Sequence, residues 1–363
     1  TLTASTGGFS GKVLIDGLSK TFVATFYGDG SAVFTVGAVK QSALAFAGKT
    51  LTLSYAGDVI TATVNHGSES STGTATRAIY SSSNRVPAAL LNSANSGFYT
   101  VGFPAKAQVS GMTASQFPQG NGYCTLTVSN LGAVNVAGKL ADGTLVTGSS
   151  ALVAGNACPI FLQLITPGAA ATVKGGCFGG VLSFDTSPAD SDVNGSDLLW
   201  IRPAVTQLSA PAAAAAATRL YSEGWPSGIY VDAVGGLYSK TVTVQAGLGI
   251  GATDAVNGNA ELTFTDGKLT ESISKSLFNI NGNSVAKIPA ADSSYTLSLA
   301  ATTGSFSGTF TPDWASPSTI KPAYSGILIQ KGANKGGFGF FLSNAKDDVD
   351  PESGSVTLGT QAE

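Results

Sequence analysis

Apolar and polar residues alternate with a period of two through much of this chain of 363 residues. Successive side chains of a β-strand point to opposite faces of the sheet, so this period predicts strands with one buried face. The clearest segments are KTFVATFY (20–27), LTLSYAG (51–57), VITATVN (59–65), CTLTVS (124–129), AVNVAGKLA (133–141) and AELTFTDG (260–267). Helical periodicity is weak by comparison, so we expect an all-β fold with little helix.

Turn signals separate these segments. Asx-Gly pairs supply the positive φ that tight hairpin turns require. Those predicted as turns between the segments above are Asp29-Gly30, Asp142-Gly143, Asn194-Gly195, Asn257-Gly258 and Asp266-Gly267. With other Gly, Pro and Ser clusters, turn signals recur every ~8–15 residues. We therefore predict an antiparallel meander that forms one or two β-barrels or sandwiches.

An Ala- and Pro-rich stretch, residues 206–226, interrupts the strand pattern. It contains PAAAAAAT (211–218), which has high helix propensity but is short and has no amphipathic stripe. We interpret 206–226 as a linker between one β half, residues 1–205, and a second β half, residues 227–363. A long surface loop inside one domain is the alternative.

The two ends of the chain carry nearly the same motif. Residues 1–11, TLTASTGGFSG, and 298–308, SLAATTGSFSG, are identical at seven of eleven positions. Glycine permits a bend or bulge in a strand, and Phe9 and Phe306 can each fill a barrel interior. We expect a structural unit that is used twice. Either each of two β halves carries one copy, or the copies are the first and last strands of one closed sheet.

Charged residues are scarce. They form 11% of the chain, against roughly 25% in ordinary soluble domains, and the formal net charge is −3. The 19 Lys and Arg residues are scattered, which argues against nucleic acid and electrostatic membrane binding. A surface of small polar residues has few long side chains to immobilise, which favours packing against neighbouring molecules. An ordinary secreted β-protein with a bland surface is the alternative.

The sequence also bears on location. No run of 18 or more apolar residues occurs, so no membrane span is predicted. The sequence opens at Thr1 and shows no signal-peptide pattern, which we interpret as a mature, exported chain. A trimmed chain or a cytosolic protein would look the same.

Three cysteines leave one without a partner inside the chain. The segment CPIFLQL begins at Cys158 and ATVKGGCFGG contains Cys177, and both have strand character. Pairing these two cysteines across a hairpin would centre the turn between Pro167 and Gly168, where turn residues are found. Opposed Cβ atoms lie about 4.5–5.5 Å apart, near disulfide geometry. We predict a Cys158–Cys177 disulfide with Cys124 as the odd cysteine; buried free thiols are the alternative.

One loop, DTSPADSDVNGSD (185–197), has the start of a calcium-binding pattern. Side-chain oxygens recur at every second position and a glycine follows, as in the first half of an oxygen-ligand calcium loop. The Glu expected six positions after that glycine is absent. The candidate ligands are Asp190, Asp192, Asn194 and Asp197, with Asp185 as a further substitute. A solvated acidic turn without calcium is the alternative.

The sequence offers little for catalysis. The single histidine, His66, lies in a predicted turn, so we expect a solvated loop residue rather than the base of a triad. No His or Cys cluster has zinc spacing, and no phosphate-binding glycine motif occurs. Paired carboxylates of a polysaccharide hydrolase stay an alternative, because sequence does not show their separation in space. We predict no enzymatic activity.

Tryptophans are the candidates for sugar contact. Trp225 and Trp314 lie beside prolines in predicted loops, where an indole can stack on a sugar ring. Anchoring of the loops is the alternative role. Trp200 lies in an apolar segment and is predicted to belong to the core.

Several segments resemble a known domain. They are GNGYCTLTVSNLGAVNVAGKLADGTLVT (120–147), CPIFLQL (158–164), LLWIRPA (198–204) and GSFSGTF followed by AYSGILIQKGANKGGFGFFL (323–342). Together they resemble an uncharacterised β-rich domain at the ends of very large secreted or surface proteins of verrucomicrobial and planctomycetal bacteria. The resemblance spans most of residues 98–342. It implies export and surface display, and it brings no catalytic residue or cofactor. The three cysteines are not part of that pattern.

These features favour a non-enzymatic structural protein at the cell surface or outside the cell. Such a chain would assemble with copies of itself into a fibre or layer. A carbohydrate-binding or adhesion module, with surface polysaccharide as its partner, is the alternative function.

Overall fold

The computed structural model describes residues 2–3, 6–15, 18–36, 39–108, 111–165, 174–207, 220–314, 321–343 and 350–361. These residues form antiparallel sheets, a few single turns of 3-10 helix and one short α-helix. The predicted all-β class is therefore confirmed. The chain divides into two compact units, Thr1–Ile79 and Tyr80–Glu363, which we call the N-terminal unit and the C-terminal unit.

The N-terminal unit contains two sheets that share one apolar core. The first sheet runs in chain order through β1 (Leu2–Thr3), β2 (Gly8–Ile15), β3 (Leu18–Phe26), β4 (Ala32–Val36) and β5 (Val39–Gln41). The second runs through β6 (Leu44–Phe46), β7 (Lys49–Ala56), β8 (Val59–His66) and β9 (Glu69–Thr76). Ala24 and Phe34 of the first sheet and Leu44 and Leu51 of the second are buried in this core.

An eight-stranded sheet forms a nearly closed barrel in the C-terminal unit. Its strands are β10 (Ser96–Phe103), β11 (Gly122–Ser129), β12 (Ala133–Lys139), β13 (Leu145–Ala151), β14 (Ala157–Ile165), β15 (Lys174–Phe184), β16 (Val193–Arg202) and β17 (Trp225–Leu237). The order β13-β12-β11-β10-β17-β16-β15-β14 shows two four-stranded meanders joined along β10 and β17. The outer strands β13 and β14 lie against each other, and the Ser150 hydroxyl donates to the Pro159 carbonyl.

A seven-stranded sheet forms a half-barrel that follows in the same unit. The elements from Tyr238 onward are α1 (Val244–Leu248), β18 (Ala260–Asp266), β19 (Ile273–Lys275), β20 (Phe278–Asn281), β21 (Ser284–Lys287), β22 (Ser298–Ala300), β23 (Ser305–Thr309), β24 (Ala323–Ile329), β25 (Gly336–Leu342) and β26 (Ser353–Thr360). The half-barrel has the order β19-β18-β26-β25-β24-β23-β22, and β20 pairs with β21 separately. Phe264, Phe306, Phe310 and Phe341 are buried in its core.

The boundary between the compact units does not lie at residues 206–226, the linker that the sequence predicted. Strand β17 begins inside that stretch, at Trp225, and pairs with both β10 and β16. The strands before and after the Ala-rich stretch therefore belong to one barrel, and the division falls between Ile79 and Tyr80. Residues 208–219, which include the alanine run, lie outside the described residues.

The repeated motif has the same backbone geometry in both units. Gly7 and Gly304 precede the strands that carry the motif and adopt positive φ angles of 65° and 67°. The Gly7 carbonyl accepts a hydrogen bond from the Phe26 amide at 3.0 Å, and the Gly304 carbonyl accepts one from the Leu328 amide at 2.6 Å. Each unit thus carries one copy, and the copies are not the first and last strands of one sheet.

The second glycine of the motif makes room for an aromatic side chain on the next strand. Gly11 lies opposite Phe22, and a Cβ atom on Gly11 would lie 2.6 Å from the Phe22 Cζ atom. Gly308 lies opposite Tyr324, and a Cβ atom there would lie 1.9 Å from the Thr296 carbonyl oxygen and 2.5 Å from the Tyr324 hydroxyl. In both copies, therefore, a glycine with positive φ precedes the strand, and a second glycine within the strand leaves space for an aromatic side chain on the neighbouring strand.

One predicted turn is wrong. Asn194-Gly195 lies inside β16, and Gly195 has no positive φ. A Cβ atom on Gly195 would lie 3.0 Å from Leu182 Cδ2 and 3.3 Å from Ala233 Cβ, so this glycine provides space between strands. Sequence alone does not separate this use of glycine from its use in turns.

Candidate functional site

The barrel interior is filled by side chains. Tyr99, Phe178, Phe184 and Trp200 are each at most 2% exposed and pack in one cluster with the aliphatic residues of the alternating strands. A cavity at one end, lined by Trp200 and its neighbours, has a volume of about 10 Å³. That volume is about what one water molecule requires, so it offers no room for a substrate.

Polar contacts join the barrel to the half-barrel, and we call this contact region the barrel junction. The Thr100 hydroxyl donates to the Leu328 carbonyl at 2.7 Å, and the Tyr123 hydroxyl donates to the Ser325 hydroxyl at 3.0 Å. The two sheets are therefore held together by specific hydrogen bonds as well as by apolar packing.

A partly buried ion pair lies at the barrel junction, where the Asp192 side chain is 3% exposed and that of Lys331 is 27% exposed. Asp192 accepts a hydrogen bond from Lys331 Nζ at 2.6 Å and from the Leu237 amide at 2.8 Å. Lys331 Nζ also donates to the Thr186 carbonyl at 3.2 Å. The loop before β16 is thereby fixed to the loop between β24 and β25.

Three of the four predicted calcium ligands, Asp192, Asn194 and Asp197, have separate side-chain partners in the described structure. Asp192 is engaged by Lys331, and the Asn194 side-chain oxygen accepts from the Ser191 hydroxyl at 2.7 Å. For Asp190 the contact is through the backbone: its main-chain carbonyl accepts from the Asn334 side-chain amide at 3.1 Å. Within the described ranges, no group of three or more His, Cys, Asp or Glu side chains is placed to hold a metal ion. Calcium binding by this loop stays a prediction.

Asp197, the fourth predicted ligand, belongs to an ionic cluster on β16 and β17. Lys106 Nζ lies 2.6 Å from Asp197 Oδ1 and 2.9 Å from Asp232 Oδ1. Hydrogen bonds to Asp197 and then to Asp232 raise the pKa of Lys106. These groups are partly exposed, so the cluster contributes little to stability.

Another ion pair, with both side chains buried, lies at the end of the barrel. Arg202 Nη1 donates to Asp142 Oδ2 at 2.7 Å, and the two side chains are 5% and 0% exposed. Arg202 Nη2 donates to the Leu220 carbonyl at 2.7 Å, and the Thr144 amide donates to Asp142 Oδ1 at 2.8 Å. Both buried charges are therefore paired and hydrogen-bonded, which offsets the cost of removing them from water.

The predicted sugar contacts at Trp225 and Trp314 are wrong. Trp225 is 2% exposed and packs edge to face on Trp200, with ring centroids 4.7 Å apart. Trp314 is 4% exposed, and its indole N–H donates to the Gly267 carbonyl at 3.0 Å. Proline neighbours suggested exposed loops, but each indole has a buried site to fill. Trp200 is in the core, as predicted.

The predicted Cys158–Cys177 disulfide is also wrong, because the hairpin has a different register. Cys158 lies opposite Leu182, and Cys177 lies opposite Gln163. Along the strand the two cysteines are five positions out of register, and an odd offset places them on opposite faces of the sheet. All three cysteines are free thiols. The predicted turn at residues 166–170 lies outside the described residues.

We expect thiol reactivity to follow burial. Burial raises the pKa of Cys124 well above its usual range, and that of Cys158 to about 11. Only Cys177 is half exposed, so a thiol reagent at neutral pH should modify it first and the other two only after unfolding. Mass spectrometry of native and denatured protein would count the modified thiols. Protection of Cys158 and Cys177 that disappears with a reductant would contradict the free-thiol assignment.

Residues that sequence reasoning missed form most of the polar network. No sequence pattern assigns an ion-pair role to Lys331, Arg202 or Asp142, and their partners lie far away in the sequence. His66, by contrast, ends β8 at the surface, close to its predicted position in a turn. A lysine that follows a buried strand was the one available signal, and it does not identify its partner.

Comparisons with family models, curated proteins and solved structures gave no match. None of the helices in the described part of the chain has enough consecutive apolar residues to traverse a bilayer. The fold and the network together define an all-β protein in which a barrel and a half-barrel are joined by hydrogen bonds and by the Lys331–Asp192 ion pair.

Proposed function

We propose that this chain is a non-enzymatic structural protein, displayed at the cell surface or outside the cell, that assembles with copies of itself. The observation that supports this proposal most directly is the use of its buried charges. Asp192 with Lys331, and Asp142 with Arg202, are engaged with each other and with backbone groups. Catalytic acids and bases typically lie in a cleft where they can reach a substrate, whereas these four side chains hold elements of the fold together.

The composition supports the same proposal. Charged residues form 11% of the chain, so its surface consists largely of small polar side chains. Contacts between such surfaces lose little side-chain entropy. The resemblance of residues 98–342 to a domain of secreted and surface proteins is the basis for the proposed location.

Self-association is the property to test. Light scattering and sedimentation of the purified protein, over a wide range of concentration and with and without calcium, should show species larger than one chain. Electron microscopy would show whether these species are fibres or layers. A protein that stays monomeric at high concentration in both conditions would overturn the proposal.

The carbohydrate-binding alternative has lost its two predicted contact residues, since Trp225 and Trp314 are buried. A glycan array remains the direct test of that function. Binding of a polysaccharide by a strictly monomeric protein would favour it over self-assembly.

A further inference from the structure

Strand β9 (Glu69–Thr76) is an open sheet edge in the N-terminal unit. It pairs with β8 on one side, and all eight of its residues are exposed. From Ser70 to Thr76 it contains no charged residue and no proline. Charged side chains, above all lysine, together with proline, bulges and short length are usual means by which proteins prevent edge strands from pairing. Between Ser70 and Thr76, β9 uses none of them.

The other described edge strands are protected. Those of the open sheets and of the β20–β21 pair are two to four residues long. The longer strands β13 and β14 lie against each other in the barrel. Among the described strands, β9 is therefore the long edge that can accept another strand.

The hairpin between β8 and β9 determines which backbone groups of β9 point outward. Its two-residue loop has Gly67 at a φ of 58° and closes on the pair His66–Glu69. In a two-residue hairpin the closing pair is hydrogen-bonded, and hydrogen-bonded pairs then alternate along the ladder. The N–H and C=O groups of Ser70, Thr72, Thr74 and Thr76 consequently point away from β8.

A second copy of β9 can pair with this edge, and opposite charges at the two ends of the strands favour one register. The residues of β9 whose backbone groups point outward all have even numbers, and in an antiparallel pair each of them must face another such residue. The numbers of any two paired residues therefore add to an even value. Centring the antiparallel pair on Gly73 places Glu69 opposite Arg77 of the second copy, at both ends. Thr72 then lies opposite Thr74, a favourable cross-strand pair.

The side chains around this edge agree with such a pairing. Arg77 lies 3.8 Å from Asp58, and both side chains are more than 60% exposed, so the guanidinium is only weakly held. On β8, Ile60, Ala62 and Val64 pack against the unit's core but stay half exposed. A neighbouring sheet would cover the edge of this apolar face.

We propose that two copies of this chain associate through antiparallel β9–β9 pairing centred on Gly73. The two four-stranded sheets become one sheet of eight strands across a twofold axis. This inference rests on the proposed self-assembly and names its contact. An isologous contact of this kind produces dimers, which are then the units of any larger assembly.

A proline at Thr74 tests the pairing. The N–H of Thr74 points outward, so Thr74→Pro keeps the ladder with β8 and blocks the open edge. We expect at least a tenfold weaker dimer by sedimentation, roughly the loss of one strong contact. Thr74→Val is the matched control, because it keeps the N–H and should dimerise as the wild type does. Circular dichroism would verify that both variants are folded.

Charge exchange tests the register. Arg77→Glu places like charges at both ends of the paired strands and should weaken the dimer, whereas Glu69→Arg combined with Arg77→Glu should restore it. A double variant as weak as the single variant would overturn the register centred on Gly73.

Cysteine cross-linking tests the twofold axis in a Cys177→Ser background. The two Gly73 residues would face each other, and space around Gly73 is open, so Gly73→Cys should form a covalent dimer on oxidation. The two copies of residue 76 would lie about 20 Å apart, so Thr76→Cys should not. Equal cross-linking of both variants would overturn the proposal.

The outcomes distinguish this inference from the proposed function. Assembly of Thr74→Pro that equals the wild type would overturn the β9 contact and leave self-assembly standing. A wild-type protein that is monomeric throughout would overturn the proposed function itself.

Discussion

Replacing Arg202 by Met should lower the free energy of unfolding of the C-terminal unit by about 3–5 kcal/mol. The substitution leaves the carboxylate of Asp142, whose side chain is fully buried, without its cation. It also removes a hydrogen bond to the Leu220 carbonyl and the guanidinium that lies 5.5 Å from the Trp225 ring. Chemical denaturation followed by tryptophan fluorescence would measure the change.

The double variant Arg202→Met with Asp142→Leu is the control. Replacing both members of a buried pair by apolar residues often costs little, because no uncompensated charge remains. Most of the lost stability should therefore return, less the cost of the unpaired Thr144 amide. A double variant that is less stable than the single one would show that Asp142 has a stabilising role of its own.

Phe306→Ala should also cost about 3–5 kcal/mol. Phe306 is 1% exposed, and its ring fills the space beside Gly326 and Gly337, where no side chain is available to occupy a cavity. The matching change in the other copy of the motif, Phe9→Ala, should cost less, because Phe9 is only half-buried at the edge of its core.

Calorimetry of both variants would separate the two cases. Phe306→Ala should lower the transition of the C-terminal unit, and Phe9→Ala should lower that of the N-terminal unit by a smaller amount. Equal losses would contradict the difference in burial on which the prediction depends.

Local sequence patterns predicted the fold class because strands and turns are local. The period of two marks β7, β8, β11 and β12, and four of the five Asx-Gly pairs that were predicted as turns have glycines with positive φ. The structural role of the repeated motif could be predicted for the same reason, since its glycines contact residues of the next strand along the chain.

The network of buried pairs could not be predicted, because each pair joins residues distant in the chain. The hydrogen bond between Lys331 and Asp192 spans 139 positions. The acidic loop resembled a calcium site, but its buried carboxylate, Asp192, is hydrogen-bonded to Lys331. The disulfide prediction was wrong because a hairpin register depends on a turn whose length the sequence did not define.

The topology has a consequence for the order of folding. Among the described strands of the C-terminal unit, each large sheet is a series of sequential hairpins joined by one ladder between distant strands, β10 with β17 and β18 with β26. Hairpins form in about 1–10 μs, whereas non-local pairing is slower. Tyr238 directly follows β17, and its amide donates to the Phe98 carbonyl while its hydroxyl donates to the Ala301 carbonyl. Tyr238 thus contacts both sheets, and its position is fixed by the end of β17. We therefore expect the barrel to close before the half-barrel docks on it. Substitution of Tyr238 should then slow the last phase of refolding.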